Sequence, residues 1–84
     1  MQETIHEPVE VCAHFGRDRI HPLWFIWNGR HYKVAAVTSR WVSAEGVSRR
    51  YHFAVLAEQA AEAFELYLRT ENLRWYLGHL SGDG

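Results

Sequence analysis

The dipeptide Asn28-Gly29 constrains this chain more than any other feature. It lies between two alternating runs, and a two-residue loop of type I′ needs positive φ at both central positions, which Asn and Gly tolerate best. Such a loop sets the register of the flanking strands. Trp27 then faces Arg30, Phe25 faces Tyr32, and Leu23 faces Val34, so Leu23, Phe25, Trp27, Tyr32 and Val34 share one apolar side. On the other side Trp24 meets Lys33 and Ile26 meets His31, a half-polar face suited to solvent or a partner.

The neighbouring segments continue the pattern. Val9, Val11, Ala13 and Phe15 alternate with Glu10, Cys12 and His14, which reads as a strand ending at Gly16. After Val34 the apolar phase changes from even to odd positions at Val37 and Trp41, and a bulge near Ala35 and Ala36 reconciles the two and bends the strand. A turn at Glu45 and Gly46 leads into Tyr51, Phe53 and Val55, with Arg50 and His52 facing away. Residues 57–69 read two ways. Ala57, Ala60, Ala61, Phe64 and Leu68 line a helical face, whereas Phe64, Leu66 and Leu68 alternate as a strand. The reading adopted is a strand from Ala63, preceded by a turn or one short helix near 58–62, then a loop over 70–73 and a last strand from Arg74.

The expected fold is therefore mainly β, an antiparallel meander of about five or six strands forming a twisted sheet or small roll or barrel. With 84 residues the chain makes a single domain, 1–84, with an ordered core about 8–80 and frayed ends. So small a domain needs a dense core, and four Trp, four Tyr and four Phe supply it. Expected core residues are Val11, Phe15, Phe25, Trp27, Tyr32, Val34, Trp41, Phe53, Leu66 and Trp75. Cys12 is the single cysteine, which rules out an intramolecular disulfide and favours a reducing compartment. The first residues lack a signal-peptide pattern, and the longest apolar run is 23–27, so the expected localisation is cytoplasmic with no membrane partner.

The run Phe25, Ile26, Trp27, Asn28, Gly29, Arg30, His31, Tyr32, Lys33 and Val34, followed by Val37, Arg40 and Trp41, resembles a small bacterial family of unknown function. Tyr51, Phe53, the stretch 64–67, Trp75 and Leu77 extend the resemblance over most of the chain. Members of that family are often encoded beside error-prone, Y-family-type DNA polymerases, which implies a DNA-related role. The Ala/Glu-rich stretch 58–62 and the acidic ends depart from the family pattern. The resemblance carries no catalytic residue.

No nucleophile, paired carboxylates or phosphate-binding glycine loop stands out, so the chain is not expected to be an enzyme and no cofactor is implied. The histidines His6, His14, His21, His31, His52 and His79 lack the spacing of a metal motif, and no metal is expected. Convergence of His14, His31 and His52 across strands is the one arrangement that would change this. Cys12, with Glu10 and His14 two residues away on either side, is too widely spaced for hydrogen-bonded catalysis. Charge is uneven: residues 17–50 carry seven basic residues against Asp18 and Glu45, while both flanks are acidic. Exposed aromatics within that basic middle fit phosphate contacts and base stacking. The function expected is binding: interaction with an unknown protein partner or self-association first, single-stranded nucleic acid as the alternative. The residues expected to carry it are Trp24, Ile26, His31, Lys33, Arg49 and Arg50.

Overall fold

The computed structural model describes residues 2–81. Its strands are β1 (Gln2–Pro8), β2 (Glu10–Phe15), β3 (Ile20–Trp27), β4 (Arg30–Glu45), β5 (Ser48–Ala57), β6 (Ala63–Arg69) and β7 (Arg74–Ser81). All pair antiparallel in one sheet, in the order β1-β7-β6-β5-β4-β3-β2. The two outermost strands in that order, β1 and β2, are consecutive in the chain and separated only by Val9. The Val9 N–H donates to the Trp75 carbonyl at 3.1 Å, so the same segment reaches both ends of the sheet. The sheet curls accordingly into a half-barrel.

Local chemistry explains most of this path. Asn28 and Gly29 have φ of 53° and 73°, as a two-residue I′ loop needs, and the ladder runs from Trp27–Arg30 to Trp24–Lys33. Gly46, at φ 62°, turns β4 into β5. β4 carries the expected bulge at Ala35 and a second at Thr38, whose hydroxyl donates to the Ala54 carbonyl at 3.2 Å. Each extra residue increases twist, and together they roll the sheet. Inside the roll Phe64 is the hub. Its ring meets Phe25 edge-on at 5.1 Å, Tyr32 at 5.0 Å and Trp27 at 6.3 Å. Val55, Leu66 and Leu77 complete this core without exposure.

Several expectations change. The sheet has seven strands rather than five or six, because the N-terminal segment is not frayed: β1 pairs with β7 from Gln2–Ser81 to Pro8–Tyr76, and Glu7 Oε1 accepts from Trp27 Nε1 at 3.0 Å. Ordered structure thus begins well before residue 8. It reaches Ser81, while residues 1 and 82–84 lie outside the described residues. No helix forms at 58–62. Five residues between the paired positions Ala57 and Ala63 leave room for a turn, and that turn is used: Glu58 N–H donates to the Lys33 carbonyl (2.8 Å), and Gln59 Oε1 accepts from Lys33 N–H (3.0 Å).

Leu23 is also misplaced by the simple register. β2 skips from Cys12–Trp24 to Ala13–Pro22, so Leu23 is the bulged residue, 44% exposed, and Pro22 takes the buried position. The Thr38 bulge reverses the phase of β4 so that Trp41 turns outward beside His52. Phe15 lies at the diverging tip of β2–β3, also outside the core. Among the described residues no helix is long and apolar enough to cross a membrane.

Phe25→Ala is expected to cost about 3–5 kcal/mol, as for a fully buried aromatic. Leu23→Ala should stay within ~0.5 kcal/mol of the parent. Urea unfolding of both variants checks the bulge, since comparable losses would place Leu23 in the core.

Candidate functional site

β3 pairs with β4 only as far as Trp24–Lys33; beyond that point β4 pairs with β5 alone. The β2–β3 tip therefore splays away from the β4–β5 ribbon and leaves a cleft of about 430 Å³. Ile20, Val42, Tyr51 and Phe53 line it, with Arg17, Asp18, Arg19 and Arg40 around the opening. Alternation places Arg40, opposite Phe53, and Arg49, opposite Ala44, on the same side as Tyr51. The Arg40 guanidinium donates to His21 Nδ1 at 3.1 Å, spanning the two walls. Three arginines against one aspartate, with Tyr51 and Phe53 between the walls, make a positively charged aromatic cleft.

The six residues expected from sequence do not form one surface. Trp24, Ile26, His31 and Lys33 do share the outer face of the β3–β4 hairpin, with Cys12 paired to Trp24. Trp24 is half-buried and packs on the His31 ring at 4.7 Å. Arg49 lies on the Tyr51 side of β5 but outside the lining of the cleft, its backbone held by Thr70: Arg49 N–H donates to Thr70 Oγ1, and the Thr70 hydroxyl returns to the Arg49 carbonyl, each at 3.1 Å. Arg50 lies on the outer face of β5, 5.1 Å over the Tyr67 ring and 3.1 Å from Glu45 Oε1.

That outer face of β4–β7 holds a second cluster, which sequence reasoning missed. His52 is 9% exposed, covered on one side by the parallel Trp41 ring at 5.0 Å. Its Nδ1 stands 2.9 Å from Glu65 Oε2 and its Nε2 stands 2.7 Å from Ser43 Oγ. Because an ionised carboxylate can only accept, the contact with Glu65 selects the tautomer with the proton on Nδ1, and in the neutral ring Nε2 then accepts from the Ser43 hydroxyl. The three residues come from three strands. Ser43 is opposite Arg50 and Glu65 opposite Ala54, so each lies diagonal to His52.

Further out, the His79 Nε2 is 3.8 Å from Glu65 Oε1, and His6 Nδ1 is 3.0 Å from the Tyr67 hydroxyl. Gly78 makes room for this cluster: a Cβ there would come within 3.0 Å of the Tyr67 ring and 3.1 Å of Glu65 Oε2. Burial pushes the Tyr67 phenol above its ordinary value of 10.0, against the opposing pull of Arg50 and Arg69.

The histidine convergence considered from sequence does not occur. His14 pairs with His21, His31 packs on Trp24, and of these three expected histidines His52 alone enters the polar cluster. Among the described residues no group of three or more His, Cys, Asp or Glu is placed to hold a metal ion. Comparison with protein-family models, with curated proteins and with solved structures finds no match for this chain.

The raised Tyr67 value has a stability consequence of definite sign. Below 10.0 the phenol is neutral in both states and contributes no pH dependence. Above it the unfolded chain releases the proton while folded Tyr67 retains it, so stability falls as pH rises toward the folded value. Tyr67→Phe should flatten that alkaline decline, measured as urea midpoints across the tyrosine range; an unchanged decline would place its origin elsewhere.

Proposed function

We propose that this domain binds single-stranded nucleic acid in the cleft between the β2–β3 tip and the β4–β5 ribbon. The observation that carries the reading is the grouping of Arg17, Arg19 and Arg40 with Tyr51 in one cleft, with Asp18 the one acid in its lining. Arginines there contact phosphates, and Tyr51 offers a face on which a base stacks, an interaction worth ~1–3 kcal/mol per base. Three of the seven basic residues of the middle of the chain thus line one cleft. Resemblance to a family encoded beside error-prone DNA polymerases points the same way, as does the single thiol Cys12 to a reducing cytoplasm.

A second reading rests on the outer hairpin face. Trp24 and Ile26, flanked by Cys12 and the exposed Leu23, form an apolar strip suited to docking a protein or a second copy of the chain. Trp24 is already packed on His31, which leaves less of it for a partner than the cleft offers a ligand.

Fluorescence titration with single-stranded oligonucleotides, read through Trp41 at the edge of the cleft, tests the first reading. Binding should weaken steeply with salt, and Arg19→Ala and Arg40→Ala should each lower the salt slope by roughly 1. No binding at low salt, or unaltered affinity in both variants, overturns the cleft as a nucleic-acid site. Salt-insensitive self-association lost in Trp24→Ala would support the hairpin face instead.

A further inference from the structure

We propose that Ser43 is an activated nucleophile, and that Ser43, His52 and Glu65 form a hydrolytic relay acting on carboxylic esters. This goes beyond the cleft reading and beyond the expectation of a chain without catalytic groups. A serine hydroxyl becomes nucleophilic when a base stands within hydrogen-bond reach and a third group orients that base. Ser43 Oγ is 2.7 Å from His52 Nε2, and His52 Nδ1 is 2.9 Å from Glu65 Oε2. The order nucleophile, base, carboxylate and the assignment of each imidazole nitrogen are those of a serine triad.

The surroundings hold this geometry in place. Trp41 and Tyr67 pack on the His52 ring at 5.0 and 5.5 Å, which locks its orientation. The absence of a side chain at Gly78 lets the Glu65 carboxylate lie across β7. Arg50 is the direct cross-strand partner of Ser43, with its guanidinium anchored by Glu45 and the Tyr67 ring. Its remaining N–H donors are the candidates to stabilise a developing oxyanion. A hollow of about 160 Å³ on the same face, bordered by Trp41, Ala54, Glu65 and His79, adjoins the Glu65 end of the relay, while Ser43 lies outside its lining.

The chemistry balances without a cofactor. Ser43 Oγ bonds to the ester carbonyl carbon as its proton passes to His52 Nε2. The tetrahedral adduct then breaks its bond to the alkoxy oxygen, which leaves as the alcohol with that proton. Water attacks the acyl carbon, giving a proton to His52, and the acid departs as Ser43 Oγ takes the proton back. Glu65 acts as a positioning residue by holding His52 in the Nδ1-protonated tautomer.

The test is labelling of the folded protein with a fluorophosphonate, mapped by peptide mass spectrometry, alongside turnover of p-nitrophenyl acetate. The expected result is one adduct, on Ser43, with p-nitrophenol release lost in Ser43→Ala. His52→Gln and Glu65→Gln should each slow labelling by about tenfold or more while the protein stays folded by circular dichroism. If His52→Gln unfolds, Glu65→Gln decides. Histidine ¹⁵N NMR adds a readout that packing alone would not produce: His52 protonated on Nδ1 in the parent and redistributed between tautomers in Glu65→Gln. Absence of a Ser43 adduct, or labelling at the parental rate in folded Glu65→Gln, overturns the proposal.

Discussion

Sixteen residues of extended chain reach roughly 50 Å, yet the longest dimension of the molecule is 36 Å. β4 therefore bends, and the rest of the structure depends on how. Its first four residues pair with β3, and from Val34 onward it pairs with β5. Ala35 and Thr38 are the extra residues that take up the change of direction. Without the bend the hairpin around Asn28-Gly29 and the β5–β7 meander would lie in one flat sheet, and Phe25, Tyr32 and Phe64 would not meet. The bend also opens the cleft, since β3 cannot follow β4 past Lys33.

The two faces of the curled sheet solve different problems. The inner face buries apolar rings whose removal from water stabilises the fold in proportion to area, whatever their mutual orientation. The outer face of β4–β7 buries polar groups as well, and there each donor and acceptor needs a partner. His52 meets that demand at both nitrogens, and Tyr67 meets it through His6. Satisfying buried polar atoms requires fixed distances, so this face carries the more sharply defined geometry. Arg50 and Arg69, directly opposite one another, each lie over a tyrosine ring and each meet a glutamate, which offsets their repulsion.

Sequence reasoning reads short-range β structure well here because turn chemistry is local. Asn28-Gly29 set the β3–β4 ladder, the phase change after Val34 marked a bulge, and Phe64, Leu66 and Leu68 identified β6 against strong helix-forming neighbours. It fails where a residue depends on a distant strand. Thr4 meets His79 across 75 residues, and no alternation in residues 2–8 announces that pairing. Leu23 left the core because it is itself a bulged residue, and Trp41 changed face because a single bulged residue inverts the side of everything beyond it. Of the expected site, the outer hairpin residues were legible because one tight turn relates them. Arg49 and Arg50 separated because consecutive strand residues point to opposite faces.

By itself, then, the sequence determined a mainly β chain, its tight turns, the register next to the Asn28-Gly29 turn, and an aromatic interior. These follow from φ preferences and period-two alternation, which act over a few residues. Tertiary structure alone decided that β1 and β2 bridge both ends of the sheet, that three arginines meet at one cleft, and that Ser43, His52 and Glu65 come within hydrogen-bond reach. The last requires the β5–β6 register, set by how the turn at 58–62 bonds to Lys33. A contact that depends on the relative positions of three strands has no signature in any one of them.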